Sequence, residues 1–184
     1  MNDERAQHTA SHDEDDFMFL TAYGSFNYDI ACEADFDKLH REFIEYSVEN
    51  FASFEQGKEK YDALAQKILS LPLRSLGDHA AANDLLWSIE CNLLELGLFF
   101  EVPSDILIKH FSNMVQITGL GNMERTPQWA CILAQELHKR GEKRAAERIF
   151  FGAVETIQRL QRFCSKSLAE SISPIASVFV EKSP

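Results

Sequence analysis

The sequence predicts an all-α protein, a single-domain bundle of about six helices preceded by an N-terminal aromatic strap or short hairpin. Three observations carry that expectation. From residue 36 onward apolar side chains recur at the three-four spacing of a helix face. Pro72, Pro103 and the glycines at 57 and 141 interrupt this pattern at helix-length intervals. The chain has 184 residues, 45% of them apolar and 14 of them Phe, which is enough to bury a core without disulfide or metal staples.

Residues 1–16 hold two His, six acids and one Arg with no apolar period, and are expected to be a mobile acidic tail ahead of a helical domain at 17–184. His8-x3-His12 followed by Asp13 to Asp16 has the donor types of a divalent-metal chelate. The entropy of ordering such a tail opposes binding there. The expectation is no metal and no other cofactor.

Residues 17–32, FMFLTAYGSFNYDIAC, are rich in β-formers around Gly24-Ser25. A hairpin and an extended strap both fit, and the strap is preferred because two strands alone do not hold a sheet. Partly buried, Phe17, Phe19, Tyr23, Phe26 and Tyr28 would form an apolar patch for a partner. Fully buried, they would cover the end of the core.

The first helix is expected through Phe36, Leu39, Phe43, Tyr46 or Ser47, Asn50 or Phe51, and Phe54, with Gly57 ending it. The second takes residues 58–71, with Tyr61, Leu64, Ala65, Ile68 and Leu69 on one face and Pro72 as the stop. A third starts near Asp78 as cap and is apolar on several sides: Leu86, Ile89, Leu93, Leu96 and Phe100 form one stripe, while Leu85, Trp87, Leu94, Leu98 and Phe99 lie off it. Such a helix belongs at the centre of a bundle. Pro103-Ser104 caps a fourth helix over 105–117 with Leu107, Ile108, Phe111, Met114 and Val115 inward, and TGLGN is a turn. Thr126-Pro127, a capping hydroxyl followed by proline, starts a fifth that Gly141 closes, and a sixth runs to about Phe163.

The net charge is -11. Residues 1–105 hold 22 acidic and 7 basic side chains, whereas residues 106–184 hold 7 and 11. This balance argues against nucleic acid and anionic membrane as partners and suits a basic protein, although solubility alone also accounts for it. Lys139, Arg140, Lys143, Arg144 and Arg148 bracket the turn at Gly141, with Arg159 and Arg162 extending the stripe. They are read as a solvated face or as a contact for an acidic protein surface. The N-terminus lacks a basic stretch followed by an apolar run, so a cytoplasmic protein is expected. Cys32, Cys91, Cys131 and Cys164 form no CxxC pair and are expected to be reduced small hydrophobes.

Residues 127–160 resemble a tetratricopeptide repeat, a helix-turn-helix unit of about 34 residues. With the turn glycine at Gly141, Leu133, Ala134, Leu137, Ala146, Phe150 and Ala153 take the family's large and small positions. The resemblance implies close helix approach at the alanines and a protein-binding scaffold built from stacked pairs. Two positions depart from the family: Trp129 stands one place before the aromatic position, Ala130, and Gln158 replaces the expected proline. A copy registered on Gly97 would put Glu90 and Val102 where small residues belong. A stacked array and an ordinary bundle with one similar hairpin are both open.

GxSxG, GxxxxGK, HExxH and GxGxxG are absent. His40, His79, His110 and His138 are isolated on separate helices or caps, and Glu42, Glu45 and Glu49 lack the Glu-x-x-His partner of a di-iron bundle. No catalytic residue is assigned. The expectation is a non-enzymatic, acidic protein-binding module, such as a toxin-neutralising immunity protein or a secretion-type chaperone or adaptor. A helical enzyme with a dispersed site is the competing class.

Overall fold

Two serines set where the second and third helices begin. The computed structural model describes residues 36–46, 50–118, 122 and 125–160. These residues hold six helices and no strand: α1 (Asp37–Ile44), α2 (Phe54–Leu69), α3 (Leu76–Phe99), α4 (Ser104–Gln116), α5 (Arg125–Lys139) and α6 (Lys143–Leu160). The fold is all-α, as the periodicity predicts. No helix among the described residues is long and apolar enough to cross a membrane. The acidic segment 1–16, the aromatic segment 17–32 and residues 161–184 lie outside the described residues.

The run from 36 to 54 is not one helix, and Gly57 does not end it. Ser53 Oγ accepts a hydrogen bond from the Gln56 N–H at 3.2 Å, while Gln56 Oε1 accepts from the Ala52 N–H at 2.8 Å. This reciprocal pairing satisfies orphan donors and starts α2 at Phe54. Gly57 is therefore buried near the start of α2, where a Cβ would collide with Leu96 of α3. Its missing side chain lets two helices approach instead of stopping one.

Ser75, not Asp78, caps α3. Its Oγ accepts from the Asp78 N–H at 3.0 Å, and Asp78 Oδ2 accepts from the backbone N–H groups of Ser75 at 3.0 Å and Arg74 at 2.9 Å. This capping box moves the helix start three residues upstream of the expected cap. Further along, α4 starts at Ser104 after Pro103 with no side-chain cap, so Ser104 is its first helical residue rather than a cap. Nor does the Thr126 hydroxyl cap α5: it donates backward to the Asn122 carbonyl at 3.0 Å, and α5 already includes Arg125.

Each helix packs mainly against its neighbours in chain order. α2 and α3 are antiparallel: Gly57 faces Leu96, and the Tyr61 hydroxyl accepts from Asn92 Nδ2 at 3.0 Å. α3 is central, as expected. It buries residues on every side, among them Leu85, Trp87, Ile89, Leu94 and Leu96, each contributing roughly 1.5–3 kcal/mol of hydrophobic stabilisation. One end of α3 packs with Phe36, Leu39, Tyr61, Leu64 and Ile68. The other packs with Phe54, Leu107, Leu133, Leu137 and Ala146, so a continuous core links α2 to α6 through it.

Candidate functional site

The α5–α6 hairpin is built around Gly141, whose φ of +84° falls in the left-handed region. The Gly141 N–H donates to the His138 carbonyl at 3.0 Å and the Glu142 N–H to the Leu137 carbonyl at 2.9 Å, the paired bonds of a Schellman turn. Leu133, Ala134, Leu137, Ala146, Phe150 and Ala153 are all buried. The positions that carry the repeat resemblance are therefore the ones that hold this hairpin closed.

The basic residues around the turn separate into two groups. Arg140 turns inward: Nε donates to Glu136 Oε1 at 2.9 Å and Nη1 to the Val102 carbonyl at 2.6 Å. Lys139 lies 3.7 Å from the same Glu136 carboxylate. Lys143, Arg144 and Arg148 are exposed, with exposed Glu142 and Glu147 interleaved. The cluster is thus less basic in space than its spacing suggests. Arg159 contributes backbone to α6, and Arg162 lies outside the described residues.

Exposed carboxylates also occur on α2, beside Lys58, Lys60 and Lys67. Glu55, Glu59 and Asp62 are exposed and occupy the side opposite buried Phe54, Tyr61, Leu64 and Ile68. Nearby cations are engaged within the fold, Lys58 with Asp62 and Lys67 with Glu42 at 2.6 Å. Glu42 also accepts from the Tyr46 hydroxyl at 2.8 Å, and these bonds, led by that of Lys67, hold its carboxyl below the usual range. Asp62 is thus paired with Lys58 on the same helix, and what projects from α2 beside exposed Lys60 is the carboxylate pair Glu55 and Glu59.

Two buried polar clusters were not singled out by spacing. Trp87 Nε1 donates to Thr126 Oγ1 at 3.2 Å, and Asn122 Nδ2 donates to Asp84 Oδ1 at 2.8 Å. The Arg125 guanidinium lies 4.8 Å from the centre of the Trp87 ring. Burial pushes the Asp84 carboxyl up to about 6, against the downward pull of Asn122 and Arg125. In the second cluster, His110 Nδ1 lies 2.7 Å from Glu90 Oε2, while Asn113 Nδ2 donates to Glu90 Oε1 at 2.9 Å. A polar residue in register with a buried stripe, as Asp84 is with Ala81 and Ser88, is the sequence signal that would have found the first cluster.

The other candidates stay apart. His40, His79 and His138 do not join His110, and among the described residues no group of His, Cys, Asp and Glu is arranged to hold a metal. Cys91 and Cys131 are buried free thiols. Burial raises Cys91 to about 12 and Cys131 to about 11, so both stay protonated at neutral pH. Phe17, Phe19, Tyr23, Phe26 and Tyr28 lie outside the described residues. Comparison with known families, with curated proteins and with solved structures finds no match to this chain.

Proposed function

We propose that this protein is a non-enzymatic acidic binding module that holds one basic protein partner, in the manner of an immunity protein or a secretion-type chaperone. The observation that supports this reading is the exposed carboxylate pair Glu55 and Glu59 on the outer side of α2, in a chain of net charge -11. A solvent-facing pair of one sign accelerates encounter with a surface of the opposite sign and repels like-charged partners. At physiological salt that steering acts over about 8 Å, so the contact itself must be close.

Affinity capture from the native host tests it. A single stoichiometric basic protein should be recovered, and both 0.5 M salt and the double substitution Glu55→Lys, Glu59→Lys should release it. A protein that returns alone, carrying a bound small molecule in a polar pocket, would sink the reading.

A tetratricopeptide-like scaffold is a second reading. Two observations favour it: the burial of all six pattern positions in the α5–α6 hairpin and the packing of successive helices in chain order. In stacked pairs the partner lies along a concave face shared by several helices. Substitutions on α2 alone would then weaken capture without abolishing it.

A further inference from the structure

We propose that the outer face of α6 is an interface for a second copy of this chain, with two α6 helices pairing antiparallel about a two-fold axis between Phe151 and Gly152. Arg148, Phe151, Gly152 and Glu155 are all exposed and share the side of α6 opposite buried Ala146, Phe150 and Ala153. Phe151 stands in the middle of this face, 56% exposed, with its ring edge-on to that of buried Phe150 at 5.7 Å between centroids. Beside it, a Cβ added at Gly152 would meet nothing within 4 Å, so the backbone there lies open.

This face is complementary to itself. An antiparallel two-fold pairs each residue with the one equally far beyond the axis, so Phe151 of one copy lies on Gly152 of the other and Arg148 meets Glu155, each contact made twice. The glycine gives the ring a flat seat and lets the two helices approach. Charge also selects this occupant. In a chain of net charge -11, acidic surface repels a second copy, whereas this face carries both signs in the register that pairs them. Arg148 enters no ion pair with another described residue, so its charge is available to a partner. Arg144, exposed on the same side, lies about two turns from the axis, at the solvated rim of the contact. A parallel pair would instead set Arg148 against Arg148 and Glu155 against Glu155. One helix pair is a small interface, below about 1,200 Å² of total buried area, so the dimer is weak and forms with rising concentration.

Sedimentation equilibrium of the full chain from about 1 μM to about 1 mM reads this directly, with the mean mass rising from one copy towards two. Gly152→Ala leaves the fold intact, because its methyl enters open space, and should weaken dimerisation at least about tenfold by holding the Phe151 ring off the backbone. Arg148→Glu and Glu155→Arg, each alone, set like charges against each other twice and should leave a monomer over the same range. Mixed in equal amounts, these two variants regain both opposite-charge contacts and should dimerise with each other, and the doubly substituted chain should dimerise with itself. Circular dichroism of each variant checks that its helices are retained. An unsubstituted chain that stays monomeric at about 1 mM, or that grows past two copies, would overturn the pairing. So would a Gly152→Ala or single-charge variant that dimerises as well as the unsubstituted chain, or a mixture of the two charge variants that stays monomeric.

Discussion

Arg140 donates from Nη1 to the carbonyl of Val102 at 2.6 Å, tying the turn after α5 to the turn after α3. Both turns are Schellman closures. The Val102 N–H donates to the Gly97 carbonyl at 3.0 Å, just as the Glu142 N–H donates to that of Leu137. One guanidinium thus braces two helix ends far apart in sequence, and Glu136 holds it in place. Arg140→Ala should cost about 2 kcal/mol in urea unfolding, because a part-buried charge-assisted bond is lost and the Val102 carbonyl is left short of a donor. Arg140→Lys should recover little, since an ammonium cannot reproduce the two-way fork. Lys143→Ala, at an exposed position, should change stability by less than about 0.5 kcal/mol. Equal effects at 140 and 143 would contradict the bracing role.

Glu101 occupies the place in the α3 turn that Gly141 occupies after α5, yet it is not glycine. Its φ of 51° is a left-handed conformation that costs a side chain roughly 1–2 kcal/mol. Glu101→Gly should therefore stabilise the protein, by about 1 kcal/mol after the greater freedom of glycine in the unfolded chain is deducted. Glu101→Val should destabilise it, since a β-branched residue fits this region poorly. A lower midpoint for the glycine variant would mean that Glu101 makes a compensating contact.

The glycines inside helices should respond in opposite directions to alanine. Gly152 lies on the exposed side of α6, where a Cβ would have nothing within 4 Å, so Gly152→Ala should gain about 0.5–1 kcal/mol from helix propensity. At Gly57 the new methyl would meet Leu96, which is fully buried, and the ring of Phe51 at 3.1 Å. Gly57→Ala should lose about 1–3 kcal/mol despite its better propensity. Thermal unfolding of the two variants side by side separates packing from propensity.

This contrast also shows what was legible in the sequence. The α3 stripe and the hairpin at Gly141 could be read because a buried helix face repeats and a left-handed turn selects glycine. Gly57 was misread as a stop because a glycine at a helix end and one at a helix crossing look alike until the crossing partner, Leu96, is known. The caps at Ser53 and Ser75 follow the S-x-x-Q and S-x-x-D pattern and were readable, but apolar residues on both sides carried the expected run through the first of them. The Asp84 to Asn122 and Arg140 to Val102 bonds each span 38 residues, and no local spacing encodes such a meeting.

The hairpin gives the sharpest packing test. Ala146 is fully buried and Ala153 nearly so, at the α5–α6 contact with Ala130, Leu133, Ala134 and Leu137. Small side chains here let the two backbones approach closely, so an added isobutyl group has no free volume to enter. Ala146→Leu and Ala153→Leu should each cost about 1–3 kcal/mol, measured as a lowered urea midpoint with unchanged slope. Ala146→Leu should be the costlier, because it also presses on the α3–α4 side of the core through Leu133 and Leu137, whereas Ala153 meets only the hairpin cluster. Losses below about 0.5 kcal/mol for both would show that the helices separate easily, and the close-packed hairpin would fall.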